Sequence, residues 1–271
     1  MLNNDCAIIM SVYKNDKLVF LQDSLESLYK QTYISFDIYL QCDGGLSHSV
    51  MSFLEKEHEK KKIKYLGIRV QNIGLAASLN ELLRIVLPLN YIYIARMDAD
   101  DICSPDRLKE QINFMDKNQQ VDVTGSDIVE FFDDGEERAV SYAGDHSKIL
   151  KQFSKKTAIP HVTALFRKSF FNKSGLYNEN SNRNEDQWLW LSGFQNNCIF
   201  YCIKKPLVRV RLSYDLLGRR SEFKHNFDTY KLRNKIVLSL NYPRHLLLLN
   251  LIVLFAKTLP SPLLKIIYKI R

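Results

Sequence analysis

The sequence predicts an α/β fold: a mixed, mainly parallel sheet flanked by helices, followed by a basic helical tail. Three observations predict it. Short apolar runs alternate with helical periodicities through about the first hundred residues, the signature of strands linked by crossover helices. Three of those runs end in polar turns, Ser11-Val12-Tyr13, Asp43-Gly44-Gly45 and Asp98-Ala99-Asp100-Asp101. Open parallel sheets bind ligands at that edge. The charge is also uneven. Of a net +8, residues 216–271 carry +9, with eleven Lys/Arg against Glu222 and Asp228, so the body is near neutral at −1.

The elements follow in order. Residues 6–12 form a buried-strand run, and 18–32 place Leu21, Leu25 and Leu28 at helical spacing. Residues 36–42 are a second strand, closed by the D-G-G turn. Residues 49–60 are helical, 64–70 are a third strand, 75–86 a helix and 91–97 a fourth strand. Ser104-Pro105-Asp106 has the composition of a helix start, with Ser at the N-cap and Pro at the first helical position. Residues 107–118 continue that helix. Residues 121–132 are a strand ending in the Asp133-Asp134-Gly135 turn, 159–166 and 198–210 are further strands, and 186–195 is a helix carrying Trp188 and Trp190. From Ser221 the chain is helical, basic and apolar. The expected division is therefore 1–101 and 102–220 as two halves of one catalytic domain, with 221–271 as the tail.

Composition bounds the function. Five cysteines, an odd number without C-x-x-C spacing, indicate buried reduced thiols in a cytoplasmic protein. Residues 1–5 have no basic region and the following apolar run is short, so no secretory signal is expected. The apolar run 246–256 is too short to span a bilayer, and Pro260 and Pro262 stop its extension. Basic groups interleaved with Leu, Ile and Val point to an anionic membrane surface and away from nucleic acid. Leu263, Ile266, Ile267 and Ile270 share one helical face while Lys265 and Lys269 occupy another. Packing of this tail on the catalytic domain is the competing expectation. No G-x-G-x-x-G follows the first strand, which argues against a dinucleotide-binding oxidoreductase.

Asp98 and Asp100 follow a buried strand directly. Two carboxylates at i and i+2 can hold a hard divalent cation and leave room for phosphate oxygens. An acidic loop capping the helix at Pro105 has the same appearance, so D-x-D alone decides little. Asp43 can likewise be turn chemistry, Asp186 a helix-dipole partner, and either tryptophan a core residue.

The neighbours favour the functional reading. Ala95-Arg96-Met97-Asp98-Ala99-Asp100-Asp101, followed by Pro105-Asp106-Arg107-Leu108 and Gln111, closely resembles the signature of glycosyltransferase family 2, the inverting enzymes of GT-A fold. Ser11-Val12-Tyr13, Asp43-Gly44, the Asn72-Ile73-Gly74-Leu75-Ala76 to Asn80 segment, the stretch from His161 to Tyr177, and Glu185-Asp186 with Trp190 resemble further family segments in the family's order. The resemblance covers roughly residues 5–220. It implies that Asp43 accepts from the uracil edge, that Ser11 and Tyr13 line the nucleotide pocket, and that Gly74 belongs to the donor-binding segment. It implies that Arg96 and Asp98 position the nucleotide sugar and that Asp100, with Asp98, holds Mn2+ or Mg2+. Asp186 would be the general base, supported by Glu185, with His161, Trp188 and Trp190 on the acceptor side.

Leu217-Gly218-Arg219-Arg220-Ser221 resembles a loop of a bacterial subset of the family, and Arg219 and Arg220 would close over the diphosphate. Many members place a metal-ligating histidine nearby; Arg211-Leu212-Ser213 stands here instead, so no third protein ligand is assigned. The C-terminal segment resembles that of bacterial O-antigen and capsule transferases, whose acceptors are sugars on undecaprenyl diphosphate. The implied activity is transfer of a hexose, glucose or galactose, from a UDP-sugar to a GlcNAc- or GalNAc-diphosphate lipid with formation of a β-glycoside. The implied place is the cytoplasmic face of a bacterial inner membrane, as a peripheral protein. Two alternatives remain at this level. A sugar nucleotidyltransferase would carry a glycine-rich loop after the first strand, and Ser11 to Asp16 contains no glycine. A non-catalytic membrane scaffold would have no need of Asp98, Asp100 and Asp186.

Overall fold

The computed structural model describes residues 4–132, 134–212 and 223–258. Four strands, β1 (Cys6–Tyr13), β2 (Phe36–Asp43), β3 (Tyr65–Arg69) and β4 (Tyr93–Asp98), pair in parallel. Between them run α1 (Leu18–Tyr29), α2 (His48–Glu59) and α3 (Leu75–Val86). The chain continues through β5 (Ile102–Cys103), α4 (Arg107–Lys117), β6 (Val123–Phe132), β7 (Glu137–Val140) and α5 (His146–Phe153). A 3-10 turn (His161–Thr163), β8 (Leu165–Arg167), α6 (Ser169–Ser174), α7 (Glu185–Gln195) and β9 (Phe200–Leu212) follow. Two helices, α8 (Phe223–Ser239) and α9 (His245–Thr258), end the described chain. Among the described residues the sheet has nine strands, in the order β3-β2-β1-β4-β8-β6-β9-β5, with β7 paired to β6.

Strand side chains alternate between faces, and the cores divide accordingly. Cys6, Ile8, Met10 and Val12 of β1 pack with Leu21, Leu25, Leu54, Ile112 and Met115 of α1, α2 and α4. Ala7 and Ile9 point the other way, to a core shared with Leu79, Phe153, Phe170, Trp190, Leu232 and Ile236. The last two belong to α8. The expected boundary at residue 221 therefore does not separate two cores.

Three sequence expectations change. The fourth helix starts at Arg107, not at Pro105, and Asp106 holds the N-cap position. Ser104 and Pro105 are captured elsewhere: Ser104 N–H donates to Leu207 O at 2.9 Å, and Gln31 Nε2 donates to Ser104 O at 2.7 Å. The run 159–166 is not one strand. Pro160 leads into the 3-10 turn, whose carbonyls are taken by side chains: Arg107 Nη2 to Val162 O at 2.9 Å and Gln111 Nε2 to Thr163 O at 2.8 Å. Four short elements, β5, β7, α5 and α6, were not expected.

Candidate active site

The parallel strands bring three polar ends to one edge. In register, Ser11 lies beside Gln41 on one side and Asp98 on the other, and Tyr13 lies beside Asp43. Ser24 of α1 donates its hydroxyl to the Asp98 carbonyl at 2.8 Å, which fixes the turn after β4. The buried Arg96 guanidinium grips the Asp98 carboxylate with two nitrogens. From β9, Arg211 closes the other side of that turn: its N–H donates to Asp101 Oδ1 at 2.8 Å and its Nε to Asp100 O at 3.1 Å.

The acids there repel one another. Burial, reinforced by Asp98, pushes Asp100 up to about 6. Asp16, which accepts the Tyr13 N–H at 2.9 Å, is pushed up to about 7 by burial, with Asp100 and Asp98 adding to it. Asp101 is raised by burial and then by Asp98 and Asp100. Half-buried carboxylates that resist ionising together are a donor set suited to a hard divalent cation. Among the described residues no three His, Cys, Asp or Glu side chains form a metal group. Asp98, whose carboxylate Arg96 holds, and Asp100 two residues on are the candidate pair for such an ion.

The Asp43 carboxylate is already engaged within the protein. It is 2% exposed, and its carboxylate accepts Ile73 N–H at 3.0 Å and Gly74 N–H at 2.9 Å while pairing with Arg69 at 3.1 Å. Its carbonyl accepts Asn72 Nδ2 at 3.0 Å. Gly74 opens α3 with φ +100°, a conformation that disfavours a side chain. Asp43 therefore shapes the 72–74 turn beside Ser11 and Tyr13.

The second cluster gathers at the N-terminus of α7. Glu185 and Asp186 lie in its first turn, where the helix dipole favours negative charge. Burial nevertheless dominates: Glu185 is pushed up to about 7 by burial and by Asp186. Asp186 is also raised by burial, against the pull of its Gln187 hydrogen bond and then of Arg96 and Arg233. Gln187 Nε2 donates to Asp186 Oδ2 at 3.0 Å. Asn80 of α3 clasps Tyr177 through both amide atoms, at 2.9 Å each, and Tyr177 OH meets His161 Nε2 at 2.8 Å. Burial, then Arg96, holds His161 well below its usual range, so the ring is neutral at pH 7. Arg96 is the common neighbour: its charge reaches Asp98, Asp100, Glu185, Asp186 and His161.

Trp190 is a correction. It is fully buried, stacked with Phe166 and edge-on to His161 and Phe200, and offers no face to a sugar. Trp188 is half-buried with Lys235 4.6 Å over its ring. Arg219 and Arg220, and the segment 259–271, lie outside the described residues. Asp16 and Arg233 enter the site without having been singled out, and Tyr177 and Arg211, noted in the sequence, had been given no role. Asp16 was legible as the acid after the first polar turn; nothing local in sequence marks Arg233.

The profile described as Glycosyl transferase family 2 matches residues 7–175. A UDP-Gal:alpha-D-GlcNAc-diphosphoundecaprenol beta-1,3-galactosyltransferase of Escherichia coli is 27% identical over 97% of this chain and 94% of its own. The O-antigen biosynthesis glycosyltransferase WbnJ of Escherichia coli is 30% identical over 83% of this chain and 82% of its own. Among solved structures, S. aureus TarS 1-349 in complex with UDP-GlcNAc superposes with a TM-score of 0.64 at 16% identity, over 87% of this chain and 66% of that one.

Proposed function

Since the chain belongs to glycosyltransferase family 2, we propose that it transfers a hexose, galactose or glucose, from a UDP-sugar to a lipid-diphosphate-linked GlcNAc or GalNAc in O-antigen or capsule polysaccharide synthesis. The observation that carries the reading is that one buried guanidinium, Arg96, holds the Asp98 carboxylate and acts electrostatically on Asp100 and on the Glu185–Asp186 pair. A donor diphosphate and an acceptor hydroxyl need those two clusters side by side. The E. coli galactosyltransferase, alike along nearly its whole length, supports a UDP-sugar donor and a lipid-diphosphate-linked acceptor.

In this mechanism the Asp186 carboxylate takes the proton of the acceptor hydroxyl as its oxygen bonds to the anomeric carbon. The bond from that carbon to the diphosphate breaks on the opposite face, UDP leaves with the electron pair, and the configuration inverts. An α-linked UDP-hexose gives a β-glycoside. Glu185 braces the base, and His161 contributes a neutral contact on the acceptor side. Asp98 and Asp100 would hold Mn2+ or Mg2+, which when bound offsets the charge gathering on the leaving diphosphate. Ser11 and Tyr13 line the nucleotide site, with Asp43 and Gly74 setting its 72–74 wall and Arg96 orienting Asp98. Arg219 and Arg220 would add donors to the diphosphate, and Trp188 would border the acceptor.

Helix α9 supports access to a lipid acceptor. It packs on α8 yet leaves Leu248, Leu249, Ile252, Val253 and Phe255 exposed. Among the described residues no helix is long and apolar enough to cross a membrane. A helix of that composition, within a basic segment, suits shallow insertion at an anionic surface. The protein would then sit peripherally on the cytoplasmic face of the inner membrane. The test is UDP release from a panel of UDP-sugars with a synthetic GlcNAc-diphosphate lipid, with Mn2+ or with EDTA. Acceptor-dependent, EDTA-sensitive release from one donor is expected. No release from any donor, together with no UDP binding, would overturn the reading.

A further inference from the structure

Helix α8 runs beside α7 and faces the turn that leads into the acid pair. Contacts fix its alignment: His225 Nδ1 lies 3.0 Å from Asn182 O, Asp228 Oδ2 accepts Asn182 Nδ2 at 2.7 Å, and Thr229 Oγ1 donates to Asn184 Oδ1 at 3.2 Å. Further along, Lys235 covers Trp188. The two helices therefore run in the same direction, and the start of α8 lies level with residues 182–184, just ahead of Glu185 and Asp186.

Among the described residues, one side chain on that stretch has no hydrogen-bond partner. Asn226 is 3% exposed, and both its Oδ1 and its Nδ2 are buried without a hydrogen bond. It precedes Thr229 by three residues and Arg233 by seven, so all three share one face of the helix. Arg233 is anchored on Phe153 O at 2.8 Å, and its charge acts on Asp186. Other unpaired atoms border the same acids: Gln187 Oε1, next to the Asp186 contact, and Arg96 Nε.

A buried amide without partners weakens a fold. Leucine has the same branching and would fill the position without that cost, so folding does not account for asparagine here. A partner from outside would. A primary amide offers both a donor and an acceptor, which a sugar hydroxyl matches and a phosphate does not. We propose that Asn226 is an acceptor-binding residue whose amide pairs with a hydroxyl of the acceptor sugar as that sugar is presented to Asp186. The amide is buried in this structure, so the sugar would reach it only as α8 shifts to admit it. This inference rests on the transferase reading.

The experiment compares wild type with Asn226→Leu and Asn226→Asp. Thermal unfolding is measured without ligand, and initial rates of UDP release are measured against the GlcNAc-diphosphate lipid at saturating donor. Asn226→Leu should raise Tm, raise the acceptor KM about tenfold, and leave the UDP-sugar KM and UDP binding unchanged. Asn226→Asp, which keeps acceptor oxygens but loses the N–H donors, should also raise the acceptor KM with UDP binding intact. A lower Tm for Asn226→Leu would mean that ordered water or the fold uses the amide, and would overturn the proposal. So would an unchanged acceptor KM in both variants. If wild type itself gives no acceptor-dependent release from any donor, the transferase reading fails first and this inference with it.

Discussion

Replacing Asp43 with asparagine tests whether this residue builds the nucleotide wall or reads the base directly. Its carboxylate takes two backbone N–H groups and the Arg69 guanidinium in a position 2% exposed. Asparagine keeps one acceptor oxygen and sets an NH2 against the other donor. A hydrogen bond to a charged group contributes about 1.5–3 kcal/mol, and leaving its donor unpaired costs a similar amount. Breaking a buried ion pair costs about 3–5 kcal/mol when the partner is stranded. Arg69 is not stranded, because Glu81 at 3.0 Å and Ser78 at 2.7 Å still hold it. The expected loss is therefore near the lower bound, about 3 kcal/mol, which for a domain of this size lowers Tm by about 6–12 °C. The assay is thermal unfolding of Asp43→Asn, Arg69→Met and the double variant, with UDP binding measured on each. The double variant should lose less than the sum, because the two share one interaction. A Tm within a degree of wild type combined with lost UDP affinity would refute the reasoning and make Asp43 a direct base contact.

Other outcomes follow from the acids. Asp186→Asn should lose turnover by several orders of magnitude while keeping UDP-sugar affinity; titration calorimetry with UDP checks the second half. The base acts deprotonated and burial raises its pKa, so kcat/KM should climb with pH on an acid limb lying above the ordinary carboxylate range; a limb near pH 4 would remove Asp186 from that role. Asp100→Ala should abolish Mn2+-dependent release and leave the unfolding curve unchanged, and normal activity would end the metal assignment. A chain truncated after Asn241 keeps α8 and should stay folded but no longer sediment with anionic vesicles; unchanged sedimentation would make α9 a packing element.

The sequence was most legible where local periodicity and tertiary role agree. Residues 75–86 form the expected helix without adjustment, because Leu79, Leu82, Leu83 and Val86 both repeat at helical spacing and face the core. It was least legible where partners distant in sequence decide. Ile102 and Cys103 are a strand only because Arg209 and Val208 pair with them. The 159–166 run has strand composition, but Arg107 and Gln111 claim its carbonyls from another element. The helix at 146–153 carried a readable start, since Asp145 Oδ1 caps Lys148 N–H at 2.9 Å, and its brevity hid it. In the site, the acids announced themselves as strand-end and helix-start carboxylates. Arg107 and Gln111, part of the family signature, turn out to staple β4 and β6 to the 3-10 turn. Trp190 stays open between core and acceptor side in the sequence, because sequence does not tell which face of α7 is inward. The pairing of α8 with α7 depends on a packing that no local pattern encodes.

The five cysteines offer a kinetic handle on this architecture. All are buried and unpaired, and burial raises every thiol: Cys6, Cys42 and Cys202 to about 12, Cys198 to about 11, and Cys103 as well. At ordinary pH almost none is thiolate, the form that alkylates, so labelling must await a fluctuation that admits water. Cys6, Cys42 and Cys103 belong to one core and Cys198 and Cys202 to the other. Peptide-resolved alkylation rates would thus time the opening of the two sides of the sheet separately. They would tell whether the half bearing the nucleotide edge and the half bearing the α7–α8 pair breathe as one cooperative unit or as two.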